Sequence, residues 1–159
     1  MTALHMRLAR IDDAPAVSRL SLRVVRRWIA PEQPAAAVML LEEGLRTSVI
    51  RQKIEAGQRF HLAFVGDALA AVAAVRDDSH VFQLFVGTRY QGQGIARKLW
   101  DRLRRDCMRR AGTRVFTLNA APGAVPVYLH MGFALDHDPA RGRSKIVSVP
   151  MRYRLAGAA

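Results

Sequence analysis

Three glycines fall within eight residues, Gly87 to Gly94, between an apolar run ending Leu84-Phe85-Val86 and an amphipathic stretch beginning at Ile95. That order reads as a strand, a turn and the start of a helix. Gly92 and Gly94 let main-chain N–H groups approach a ligand with no Cβ in the way. A helix start adds about half a positive charge and a set of unsatisfied donors. Together these features make an anion site, well matched to a diphosphate. Two common phosphate loops are excluded by the residues present. A Walker loop ends in Gly-Lys-Ser/Thr, whereas Gly94 is followed by Ile95 and Ala96. A dinucleotide fingerprint needs glycine where Arg97 stands and an acidic residue near position 114, where there is none. What remains, Gln91-Gly92-Gln93-Gly94-Ile95-Ala96, fits Gln/Arg-x-x-Gly-x-Gly/Ala.

Other reactive side chains are sparse. The five histidines, at positions 5, 61, 80, 130 and 137, form no HExxH and no close i,i+4 pair. The single cysteine, Cys107, allows no intrachain disulfide and no cysteine-based zinc site, so no structural metal is expected. Cys107 shares an apolar stripe with Ile95, Leu99 and Leu103, which predicts a buried small hydrophobe rather than a nucleophile. Trp28 and Trp100 are expected to be packing residues.

Charge narrows the partners without choosing one. Lys+Arg minus Asp+Glu is 25 − 13 = +12, and only Lys53, Lys98 and Lys145 are lysines. Such a balance suits a phosphate-bearing partner: nucleic acid, an anionic surface or a phosphorylated cofactor. Nucleic acid is disfavoured, because the basic residues are dispersed and no helix-turn-helix, zinc-finger or aromatic RNP pattern is present. No apolar run approaches the roughly 20 residues that cross a bilayer, and Met1 to Arg10 lacks a signal-peptide core. A cytoplasmic protein without membrane partners is the expectation.

The 159 residues, with a mean hydropathy of +0.00, suit one domain with a real core. Met6 to Arg10 reads as a first strand, with Asp12 and Asp13 as helix caps ahead of Pro15. Val17, Leu20, Val24 and Ile29 recur at helical spacing. A second helical stretch spans about Ala35 to Glu55, divisible at Gly44. Phe60–Val65, Ala68–Arg76 and His80–Val86 read as an antiparallel meander turning at Gly66-Asp67 and Asp77-Asp78-Ser79. Then come a helix over Ile95–Ala111, a strand over Thr113–Asn119, a short helix over Ala124–Met131, a strand at Phe133–Leu135, a polar loop over His137–Arg143, and a closing strand over Ser144–Leu155. The alternation predicts an α+β, or mixed α/β, fold with helices on the faces of one sheet.

The glycine string resembles the pyrophosphate loop of the GNAT acyltransferases, and Leu84-Phe85-Val86 resembles the strand that precedes it. A second segment is similar as well: Leu118-Asn119-Ala120-Ala121-Pro122-Gly123-Ala124-Val125-Pro126-Val127-Tyr128-Leu129-His130-Met131-Gly132-Phe133 matches the family's strand–loop–helix ending in Tyr-x-x-x-Gly-Phe. Its Asn-Ala-x-Pro and Ala-Val-Pro are similar to a bacterial subgroup, as is Val149-Pro150-Met151. The resemblance covers nearly the whole chain. It implies a mostly antiparallel twisted sheet of about seven strands flanked by about four helices. It also implies transfer of an acetyl group from acetyl-CoA to a primary amine on a small molecule or peptide. The chain departs from the pattern in having Gly87-Thr88 where many members have Asp-Pro, and no Glu between Val81 and Phe85.

The resemblance further implies roles. Gln91, Gly92, Gln93, Gly94, Ile95 and Ala96 would hold the coenzyme A diphosphate, with Arg97 and Lys98 adding charge. Leu84, Phe85 and Val86 would flank pantetheine, lying like an extra strand, and the main chain near Val86 would polarise the acyl carbonyl. Tyr128 would protonate the departing thiolate, and Asn119 would bond pantetheine or the acyl group. The base is open: His80, His61 or solvent. Arg23, Arg26, Arg27 and Arg46 read as solvated faces in preference to an acceptor pocket selective for acidic groups. The first two helices and the loop at 136–143 would shape the acceptor site. Two rivals stand beside this: a catalytically silent acyl-CoA binder and a basic nucleic-acid module. Homodimerisation stays open.

Overall fold

The computed structural model describes residues 3–136 and 145–157. Seven strands form one sheet in the order β1-β2-β3-β4-β5-β7-β6: β1 Leu4–Leu8, β2 Arg59–Val65, β3 Ala68–Arg76, β4 His80–Val86, β5 Val115–Ala120, β6 Ala134–Leu135 and β7 Val149–Arg154. Every neighbouring pair is antiparallel except β4 and β5, which are parallel. The mixed sheet and its meander agree with the expectation from sequence. Five α-helices are present among the described residues, one more than expected: α1 Ala14–Val24, α2 Ala35–Gly44, α3 Thr47–Glu55, α4 Ile95–Ala111 and α5 Val125–His130. The extra one arises because the stretch read as Ala35–Glu55 breaks after Gly44, where Arg46 turns extended (ψ 146°) ahead of α3.

Other boundaries shift for local reasons. The first strand begins two residues early, at Leu4. Asp13 sits at the N-cap position of α1 but does not cap it. Its carboxylate instead holds Arg7 Nη1 and Nη2 at 2.8 and 2.9 Å and the Arg10 N–H at 2.7 Å. The helical spacing that runs on to Ile29 is kept by a π turn over Val25–Ile29 rather than by more α-helix. The 137–143 loop lies outside the described residues.

The sheet carries a core on each face. On one, Val17, Leu20 and Val24 of α1 and Ile50 of α3 pack on Phe60, Leu62 and Val72. On the other, α4 buries Ile95, Leu99, Trp100, Leu103 and Cys107. Trp100 is the anchor, with ring centroids 5.1 Å from Phe116, 4.9 Å from Phe133 and 5.2 Å from Tyr153. It thereby fixes α4 to β5, β7 and the chain after α5. Cys107 is buried, and its thiol is pushed up to about 12, so it stays an inert apolar group.

A polar knot sits beneath the last turns of α4. Asp106, 5% exposed, accepts from Arg59 Nε and Nη2 at 2.7 and 3.1 Å and from Arg109 at 3.2 Å. His61 is 1% exposed, with Nε2 3.4 Å from Asp106 Oδ2 but outside hydrogen-bond geometry. Burial lowers His61 from 6.5 to about 4, and the positive charges of Arg102 and Arg59 add to this against the pull of Asp106.

Two predictions follow from this packing. Trp100→Ala, which empties the centre of the aromatic cluster, should cost about 3–5 kcal/mol in denaturant unfolding. For His61, the unfolded chain takes up a proton that the native chain refuses between pH 6.5 and about 4. Stability must therefore fall as pH falls through that window. Roughly 2 kcal/mol should be lost from this group between pH 7 and pH 4.5, and urea titrations of His61→Gln should show a correspondingly shallower loss.

Candidate active site

Parallel pairing of β4 with β5 ends after two residue pairs, His80 with Thr117 and Val81 with Leu118. Beyond them β4 runs on to Val86 and β5 to Ala120 with no hydrogen bonding between the two. The separation begins at a bulge. Ala74 pairs with Gln83 and Val75 with Val81, so Phe82 is an extra residue in β4. Consecutive side chains then point the same way: Phe82 packs edge-on against Phe60, and Gln83 Oε1 lies 3.4 Å from Ser21 Oγ of α1. Leu84 and Val86 return to the α4 face, and Phe85 to the α1 face.

The edge of β4 thus left open is a row of main-chain groups. Gly87 N–H donates to Ala70 of β3 at 2.8 Å. Alternation along the strand therefore turns the peptide groups of Leu84 and Val86 toward the gap. The Val86 carbonyl accepts from Gln91 Nε2 at 3.1 Å, so the Gln91 side chain ties the start of the loop to the end of the strand.

The loop delivers the donors that its glycines promised. Gly92 and Gly94 have φ of +79° and +78°, and a Cβ built on either would meet nothing within 4 Å. Glycine is required there by backbone conformation, and the space over the loop is open. Gly94 is the N-cap of α4 and no side chain caps it, which leaves first-turn N–H groups at Ile95 and Ala96 facing out. The 17 residues of α4 bring their dipole to this point. Lys98 N–H is already bonded to the Gly94 carbonyl at 3.2 Å. Arg97 Nη2 donates to the His130 carbonyl at 2.7 Å, so that guanidinium joins α4 to the end of α5. These atoms fit a diphosphate.

Because β4 and β5 are parallel, both deliver their following loops to the same end of the sheet, the usual place for a ligand crevice. Asn119 lies on β5 beyond the last β4 contact, paired with Pro150 of β7. Tyr128 of α5 packs against Phe133 with centroids 5.8 Å apart, and Phe133 N–H bonds the Tyr128 carbonyl at 3.0 Å. The Tyr128 hydroxyl is raised by burial to about 12, which keeps it protonated at neutral pH. So the structure gathers the 84–86 strand, the loop, Asn119 and Tyr128 at one end. It does not bring the histidines there. His80 is at the joined end of β4, its Nδ1 2.8 Å from Thr117 Oγ1, and about 20 Å of strand separates it from Val86. His61 is buried under α4.

The α1–α2 connection supplies residues that sequence reading passed over. Trp28, expected to be packed, is 43% exposed and donates through Nε1 to Thr88 Oγ1 at 3.0 Å. Glu32 accepts from Gly123 N–H at 3.1 Å, and Gln33 exchanges two bonds with the Val147 main chain at 2.7 and 2.8 Å. These contacts strap the connection across to the turn after β4, the β5–α5 turn and the segment ahead of β7. The one available signal was Glu32-Gln33 held between Pro31 and Pro34. The arginines behave as solvated residues: Arg26 pairs with Glu42 at 2.8 Å, Arg46 with Glu43 at 2.9 Å, Arg27 lies 4.6 Å over Trp28, and Arg23 is exposed. Among the described residues no group of three or more His, Cys, Asp or Glu stands together to hold a metal, and no helix is long and apolar enough to cross a membrane.

No curated protein sequence matches the chain. Several solved structures share its fold. A GCN5-related N-acetyltransferase from Rhodopseudomonas palustris is similar with a TM-score of 0.79 at 16% identity, covering 98% of each chain. PaiA N-acetyltransferase from Thermoplasma acidophilum, solved with coenzyme A, gives 0.78 at 12% identity over 96% of this chain and 99% of that one. Salmonella typhimurium yncA, solved with its cofactor acetyl-CoA, gives 0.69 at 22% identity over 99% and 96%. At such identities these likenesses speak for the fold. The acetyltransferase (GNAT) domain profile matches residues 30–155, most of the chain and all of the loop, strand and helix that build the cleft. The protein belongs to the GNAT acetyltransferase family.

Proposed function

We propose that the protein is an acetyl-CoA-dependent N-acetyltransferase that moves the acetyl group to a primary amine by direct attack within a ternary complex. The observation that carries this reading is the open edge of β4 beside an uncapped helix start: peptide groups of Leu84 and Val86 beside the N–H groups of Gly92 to Ala96. An extended amide chain carrying a diphosphate matches both at once, and pantetheine with the coenzyme A diphosphate is such a molecule. Two fold neighbours solved with coenzyme A or acetyl-CoA support the same occupant.

Attack of a neutral amine on the thioester builds negative charge on the carbonyl oxygen. A fixed main-chain donor near Val86 opposes that charge without reorganising, worth about 3–4 kcal/mol for one such donor. Collapse expels a thiolate. Tyr128, held protonated by its burial, is the group that would donate to that sulfur. Its raised value disfavours a resting phenolate, so the hydroxyl is the form that meets the thiolate. The amine must also lose a proton. His80 has no direct path from the closed end of β4, so relay through solvent is the better-supported route. Glu32, whose carboxylate accepts from the Gly123 N–H, is the acidic group that would attract an incoming ammonium ion.

Thiol release from acetyl-CoA against a panel of amino acids, polyamines, aminoglycosides and lysine peptides tests the activity. Release with at least one amine is expected, and none with any amine would leave a silent acyl-CoA binder. Tyr128→Phe keeps the ring against Phe133 and should lower kcat by about a hundredfold, with acetyl-CoA affinity unchanged within threefold. An unchanged kcat would remove Tyr128 from the chemistry.

A further inference from the structure

The face that carries α4 is unevenly covered. Between α4 and the edge strand β1 lies a groove of about 500 Å³. Its floor is Met6 and Leu8 of β1 with His61 of β2, brought to one side because Leu8 and His61 are register partners. Its wall is one stripe of α4, on which Lys98, Arg102, Arg105 and Arg109 follow at i+4, i+3 and i+4.

Two carboxylates also line the groove, and both are engaged. Asp106 holds Arg59 and Arg109, and Asp101 holds Arg104 at 3.1 Å. Counting Arg59, five cationic side chains line the groove against two carboxylates, 5 − 2 = +3. Lys98, Arg102 and Arg105 meet no acid partner among the described residues. A solvated helix face shows such charge often. This one differs in what it borders: its cations rim a groove floored by Met6 and Leu8 instead of open solvent.

We infer that this groove is a second anion site, separate from the glycine loop, and that it takes an oligophosphate chain. The three unneutralised cations extend over seven residues, about 10 Å along α4, which suits a line of charges better than a single phosphate. The guanidinium forks of Arg102 and Arg105 match phosphate oxygens in pairs. The chain is either free or borne on a nucleoside. The site does not depend on acetyl transfer.

The test is calorimetric titration with sodium tripolyphosphate at about 0.15 M salt, where exposed charges are screened beyond roughly 8 Å, with and without saturating acetyl-CoA. Binding at one site in the micromolar range is expected, unaltered within threefold by acetyl-CoA, with a shift of the His61 ring resonances. Arg102→Glu/Arg105→Glu, both exposed, should weaken it at least tenfold while leaving the unfolding midpoint in place. Arg19→Glu/Arg23→Glu makes the same change in net charge on α1 and should alter it less than threefold. Tighter binding of ATP than of tripolyphosphate would name a nucleotide, and equal binding a free chain. The inference is overturned by absent binding, by equal losses in the two double variants, or by displacement with acetyl-CoA while the groove variant binds normally. Failure of acetyl-CoA itself to bind in the same cell would count against the acetyl-transfer reading and leave the groove standing.

Discussion

Everything at the active end of this protein depends on two parallel strands that stop pairing early. β4 and β5 share only the His80–Thr117 and Val81–Leu118 pairs. A sheet normally satisfies every backbone donor and acceptor, and an edge left unpaired inside a fold is costly. Here the extra residue Phe82 twists β4 away, and the open edge is held open from both sides. Ser21 and Phe60 fix the bulge from the α1 face, and Trp100 pins α4 to β5 and β7 on the other. The unsatisfied edge is therefore a stable feature of the packing, and a ligand with alternating amide groups completes it.

The same economy governs the charge. An anion held at the loop needs no dedicated side chain, because donors at Gly92 to Ala96 and the dipole of a 17-residue helix supply the field. Side chains nearby are occupied otherwise. Gln91 fastens the loop to Val86, and Arg97 fastens α4 to α5. The arginine excess is divided among surface ion pairs and the groove beside β1. Net charge of +12 thus marks at least two separable surfaces, which composition alone merges into one.

The loop was legible because glycine at positive φ, followed by an amphipathic stripe, is a local signal. So was the meander, whose turn at Gly66 has φ of +60°. The burial of Cys107 followed from its stripe position. The bulge at Phe82 was not legible, because hydropathy does not record that Phe82 and Gln83 face the same side. Nor was the strap: Glu32 to Gly123 and Gln33 to Val147 join residues 91 and 114 apart, the first through one hydrogen bond and the second through two. His80 looked promising by its place at the head of the right strand. Only the direction and length of β4 reveal that this head is the closed end. Trp28 was read as core because tryptophans usually are, whereas its indole N–H is spent on Thr88 at the cleft mouth.

The most direct test of the central claim is an amide-resolved NMR titration of the native protein with acetyl-CoA. The largest shifts are predicted at the N–H groups of Leu84 and Val86, on the open edge of β4, and at Gly92 to Ala96, with α1 and the β1–β2 edge quiet. Shifts confined to the basic stripe of α4, or none at saturating acetyl-CoA, would contradict the account, because the unpaired strand edge and the uncapped helix would then be satisfied by something else.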